Sequence, residues 1–139
     1  RAGHPWAQYF LSIVYEQLAQ SAEEESVQLF YMEQAMKWCS SAADSGLVEA
    51  QKDLAVTYMD GQVVDQDPLQ AARWMEEAAK QLDLPAAHGM GEMYRDGTAL
   101  GVDKSKARFW FQRSANAGYR ASIRELRRLN SQGVRRLFR

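Results

Sequence analysis

The sequence has one cysteine, Cys39, which excludes an internal disulfide framework and a cysteine-rich metal site. It has two histidines, His4 and His88, far apart in the chain. Neither sits in an H-E-x-x-H arrangement or near a Cys/Asp pair at ligand spacing. No run of about 18 apolar residues occurs, so no transmembrane helix is expected. The N-terminus lacks both a signal peptide's basic-then-apolar pattern and an initiating methionine, so the chain is expected to be part of a longer or processed protein. Prolines number only three, and no segment alternates apolar and polar residues as a strand would. What remains abundant is Ala, Leu, Gln, Glu and Arg, all good helix formers. With 46% hydrophobic residues over 139 positions, one all-α domain spanning residues 1–139 has material for a real core.

Charge of one sign is also missing, but only locally. Residues 1–103 carry 17 acidic and 6 basic side chains, whereas residues 104–139 carry 11 basic side chains and Glu125 as the one acid. Segregation on this scale bears on association rather than on fold.

The strongest positive signal is a repeat. DGQVVDQDPLQAARW (Asp60 to Trp74) returns 36 residues later as DGTALGVDKSKARFW (Asp96 to Trp110). The same shift pairs Leu54 with Met90, Tyr58 with Tyr94 and Ala79 with Ala115, and Trp38 precedes Trp74 by 36. Gly3, Ala7, Gln8, Leu11 and Tyr15 match Gly46, Ala50, Gln51, Leu54 and Tyr58 at an offset of 43, so the first copy carries seven extra residues. Each unit reads as two helices. Val48 to about Met59 forms the first, ended by Gly61, and Asp67 caps a second that opens at Pro68. Asp103 opens the corresponding helix of the next unit. The units are expected at about 2–41, 42–77 and 78–113, with a partial repeat or cap over 114–139. In the first unit, Ser21 with Glu24 has the spacing of a capping box, which places Glu23, Glu24 and Glu25 in the first turn of a lengthened second helix.

These residues resemble the Sel1-like repeat family, a branch of the tetratricopeptide-like folds. The second unit supplies Ala50, Gln51, Leu54, Tyr58, Gly61, Val64, Asp67, Ala71, Trp74, Ala78 and Ala79 of its pattern. The third supplies Ala86, Gly91, Tyr94, Gly97, Asp103, Lys106, Ala107, Trp110 and Ala115. Where the family has further glycines, Val63, Ala99 and Leu82 stand here, so those loops are expected to differ in shape. The resemblance implies a right-handed α-solenoid of antiparallel helix pairs, with about three repeats and a C-terminal helix. It also implies a protein-interaction or adaptor role in a bacterial envelope, signalling or secretion assembly, with no cofactor.

No catalytic constellation competes with that reading. Gly89-Met90-Gly91 follows no strand and lacks the rest of a phosphate-binding loop. Trp38, Trp74 and Trp110 read as repeat core. Cys39 reads as a small buried hydrophobe, and His88 as an exposed or partly buried side chain. If a partner peptide or protein binds in a concave groove lined by the first helices, the stripe available for it is Tyr9, Ile13, Glu16, Lys52, Val56, Met59, His88, Glu92 and Arg95. A second surface is basic: Arg120, Arg124, Arg127, Arg128, Arg135 and Arg136, with Arg139 beyond. It suits a solenoid cap, an acidic protein or, weakly, an anionic membrane, while nucleic acid is disfavoured for want of interleaved aromatics. The first helix, apolar almost all round from Trp6 to Tyr15, offers self-association, as does head-to-tail attraction between the acidic and basic ends. The alternatives are a structural spacer in a larger protein and an inhibitor of a partner enzyme.

Overall fold

The computed structural model describes residues 3–138, and its regular structure there is entirely helical. Arg139, counted above with the basic segment, lies outside the described residues. Seven helices follow in order: α1 (Pro5–Ser21), α2 (Glu25–Asp44), α3 (Val48–Asp60), α4 (Pro68–Lys80), α5 (Leu84–Asp96), α6 (Lys104–Asn116) and α7 (Arg120–Leu137). Between Asp67 and Pro68 the chain divides into two compact units. In the first, α2 packs against both α1 and α3. In the second, α5 packs on α4 and α6, and α6 on α7.

The repeated punctuation does what its chemistry predicts. Gly61 and Gly97 end α3 and α5 in the left-handed conformation, at φ 67° and 75°. A Cβ at Gly61 would lie 2.7 Å from the Gln66 Cβ, so the position excludes a side chain twice over. The Asp67 N–H donates to the Tyr58 carbonyl at 2.9 Å, and 36 residues later the Asp103 N–H donates to Tyr94 at 2.8 Å. The two loops are therefore closed alike, although Val63 and Ala99 replace family glycines. Leu82 corrects the expectation further. It holds φ 67°, beside Gly46 at 91° and Gly118 at 88°, so the turn between helices is kept and a leucine carries the cost of a backbone that suits glycine.

The first hairpin departs from the expected capping box. Ser21 is the last residue of α1, and its hydroxyl donates to the Leu18 carbonyl. Glu24 becomes the N-cap residue of α2 without a side-chain cap, and of the three glutamates only Glu25 lies in the first turn. The reason is helix length. α1 has 17 residues and α2 has 20, against 13 each for α3 and α4, while the connection shrinks to residues 22–24 from residues 61–67. The seven extra residues thus extend both helices, and the turn is too short to hold a separate cap.

Both units bury alanines where helices approach closely. The first buries Ala35, Cys39, Ala42, Ala43, Ala50, Leu54 and Ala55; the second buries Ala71, Ala72, Ala78, Ala79, Ala86, Ala87 and Met90. Larger side chains fill what remains. Ala107, Phe111 and Leu129 form a buried cluster flanked by Tyr94 and Leu126. Full burial of a side chain the size of Phe111 stabilises by about 2 kcal/mol. Trp110 joins this core, whereas Trp38 and Trp74 are only half-buried.

Candidate functional site

The lengthened hairpin opens a cleft inside the first unit. It has a volume of about 360 Å³ and is lined by Glu16, Ala19 and Gln20 of α1, Gln28, Met32, Ala35, Met36 and Cys39 of α2, and Asp53, Thr57 and Val63. The floor is apolar, with two methionines whose flexible side chains adapt to an occupant. The rim is acidic. Glu16 and Asp53 face it, and the Tyr9 hydroxyl donates to Asp53 Oδ2 at 2.8 Å.

The electrostatics follow from this placement. Loss of hydration against the cleft, then the charge of Asp53, raises the Glu16 carboxyl above the usual carboxylate range. Burial first, then the bond to Asp53, raises the Tyr9 hydroxyl. Burial pushes the Cys39 thiol up to about 12, with Asp53 and Glu16 adding to it. Its Sγ lies 3.6 Å from the Ala50 carbonyl. A thiol held so far above neutrality carries no nucleophilic thiolate.

The stripe chosen from periodicity is distributed as follows. Tyr9, Ile13, Lys52 and Met59 are half-buried, and Glu16 and Val56 are exposed. The structure brings Tyr9 and Glu16 together around Asp53. On α3, however, Asp53 and Thr57 line the cleft rather than Lys52 and Val56. Asp53, Met32 and Met36 had no signal in the sequence, because which face of α3 meets the long hairpin depends on the rotation of that hairpin.

In the second unit His88, Glu92 and Arg95 form one polar chain along α5. His88 Nε2 lies 3.5 Å from Glu92, and Glu92 lies 3.8 Å from Arg95. The other side of this chain faces α7. His88 Nδ1 is hydrogen-bonded to the Ser122 hydroxyl at 2.8 Å, and Ser122 in turn to Ser114. Arg95 donates to Glu125 at 2.8 Å and to both oxygens of Asp96. The imidazole also packs against Phe111 and Tyr119, with ring centroids 5.2 and 5.4 Å away. His88 and Arg95 therefore hold α5 to α7, with Glu92 between them on α5.

On α7, Arg120, Arg124, Arg127, Arg128, Arg135 and Arg136 are all exposed, and Arg128 is paired with Glu125 at 2.9 Å. Among the described residues no three His, Cys, Asp or Glu side chains are grouped to hold a metal ion, and no helix is long and apolar enough to cross a membrane.

A family model described as the Sel1 repeat matches residues 32–47, 48–81 and 84–119, well over half of the chain. The second match spans α3 and α4 and the third spans α5 and α6, while most of the lengthened hairpin falls outside. Among solved structures, a Sel1 repeat protein from Oxalobacter formigenes is 26% identical, with 88% of this chain and 87% of that one covered and a TM-score of 0.74. The protein c5321, a protective antigen of uropathogenic Escherichia coli with the SLR fold, is 24% identical at a TM-score of 0.69. The match covers 94% of this chain and 34% of that one. Cysteine-rich protein B of Helicobacter pylori is 15% identical at a TM-score of 0.62, with 84% and 94% covered. Among curated proteins none matches significantly.

Proposed function

Because the chain belongs to the Sel1 repeat family, whose members are generally non-enzymatic modules for protein–protein interaction, we propose that it binds a peptide segment of a partner in the cleft between α1, α2 and α3. The observation that carries this reading is the combination of an apolar floor, built by Met32, Met36 and Ala35, with the acidic rim of Glu16 and Asp53. An apolar pocket with a few placed polar groups is the usual form of a specificity pocket. Here it suits a large apolar side chain next to a lysine or arginine. Tyr9 and Glu16 of the first-helix stripe meet at Asp53 beside this cleft, and Ile13, Lys52, Val56 and Met59 would add contacts along the partner. A bacterial envelope, signalling or secretion assembly is the proposed setting, on the family resemblance.

Panning a displayed random-peptide library on the full chain tests the reading. Enriched peptides should carry a cation beside a bulky apolar residue. Met36→Lys should abolish their binding at unchanged helicity, and Lys37→Ala should not. Failure to enrich any sequence would favour the spacer role instead.

A second reading rests on α1. Leu11 is 40% exposed, whereas its repeat equivalents Leu54 and Met90 are 1% and 0% exposed under α2 and α4. Trp6, Phe10 and Val14 are exposed too, leaving an apolar face that a second copy would cover. Sedimentation velocity over a concentration series should then show dimers that Phe10→Ser with Val14→Ser removes. A monomer at all concentrations contradicts it.

A further inference from the structure

The basic end of the chain holds a feature that the peptide cleft does not use. Lys104 and Arg108 stand one turn apart on α6, and Arg135 and Arg136 lie in the last turn of α7. With Leu129, Gln132 and Gly133 these four cations line one cleft of about 290 Å³. No carboxylate lines it, and none of the four has an ion-pair partner among the described residues. Glu125 of α7 lines an adjoining pocket with Lys104, Leu129 and Gln132, but its carboxylate is already shared by Arg95 and Arg128. A Cβ at Gly133 would meet Arg108 Nη2 at 3.8 Å, so the guanidinium reaches across from α6 to α7 at that glycine. Like charges gathered within a Debye length repel one another, and an anion that enters relieves the repulsion.

The same stretch of α7 is apolar on an adjoining face. Val134 is 53% exposed, Leu137 83% and Phe138 86%, at i, i+3 and i+4 spacing. Cations beside uncovered aliphatic and aromatic side chains, at the end of an amphipathic helix, match the chemistry of an anionic bilayer surface. Arginines meet headgroup phosphates there, and apolar side chains enter the boundary with the acyl chains. Nucleic acid would use the cations but would leave Val134 and Leu137 in water.

We propose that the α6–α7 end binds anionic lipid, with Lys104, Arg108, Arg135 and Arg136 on headgroup phosphates and Leu137 and Phe138 inserted at the interface. This surface lies outside the peptide cleft and does not depend on that cleft's occupant. Co-sedimentation of the full chain with vesicles of phosphatidylcholine, alone or mixed with phosphatidylglycerol, tests it. Binding should require the anionic lipid and fall steeply between about 0.05 and 0.5 M salt. Arg135→Ala with Arg136→Ala should weaken it roughly 30-fold, from about one kcal/mol for each cation near an anionic surface. Leu137→Ser with Phe138→Ser should weaken it while leaving the salt dependence, and Lys37→Ala with Arg73→Ala should change nothing. Equal binding to neutral vesicles, or indifference to the arginine pair, overturns the proposal. So does tighter binding to an oligonucleotide that the Leu137/Phe138 variant leaves intact. Helicity of each variant by circular dichroism separates lost binding from lost structure.

Discussion

Gly89 and Gly91 sit two residues apart on α5 and answer to opposite physics. A Cβ on Gly91 would fall 2.5 Å from the Phe111 ring, inside the buried cluster, whereas one on Gly89 would meet the Met75 sulfur at 3.4 Å. Gly91→Ala should therefore destabilise by about 1–3 kcal/mol through overpacking. Gly89→Ala should be neutral or stabilise by up to about 1 kcal/mol through helix propensity. Urea denaturation of the two variants decides, and equal effects would contradict the packing. At Leu82 the backbone is the burden, and Leu82→Gly should stabilise by about 1 kcal/mol, read as a higher denaturation midpoint. Glu16 gives a pH signature. Its folded pKa is raised, so its contribution favours folding below the unfolded carboxylate pKa and is lost as pH rises through the folded value. Glu16→Gln should stabilise the protein near about pH 7 and lose that advantage at about pH 3. Periodicity placed Tyr9 and Glu16 on a usable face, but Asp53, which organises both, sits at a position that no repeat rule distinguishes.

The helices divide by how much of their punctuation is written twice. α3 to α6 were legible because glycine ends and aspartate starts recur at a shift of 36, and a second copy turns a weak local preference into a boundary. Asp103 shows the mechanism: its carboxylate accepts the Lys106 N–H at 3.0 Å. Asp103→Ala should cost about 1 kcal/mol, read as a lowered thermal midpoint, and Asp103→Asn should restore most of it. Asp83 caps α5 in the same way, accepting from the Ala86 N–H, without having been singled out in the sequence. The first hairpin had no second copy of its extra residues. Ser21 and Glu24 satisfied a local rule, yet continued helix through Ser21 won, because α1 and α2 pack on each other and each added residue propagates a helix already nucleated.

Across the whole molecule the acidic and basic stretches and the two proposed surfaces lie on different helices, so peptide and lipid binding should be separable by mutation. The α1–α2 hairpin has a further consequence, for folding kinetics. Its helices, of 17 and 20 residues, are joined by a turn no longer than the one between α6 and α7, of 13 and 18 residues, so it gains more local contact for the same loop-closure entropy. It should form in the folding transition state, ahead of the Phe111–Leu129 packing, which joins α6 to α7. In stopped-flow experiments Ala35→Gly should then slow refolding, while Leu129→Ala, at about 2–3 kcal/mol, should act mainly by speeding unfolding. The reverse pattern would place the nucleus at the other end. The extra helical turns of one hairpin thus bear not only on a cleft but on the order in which the chain acquires its structure.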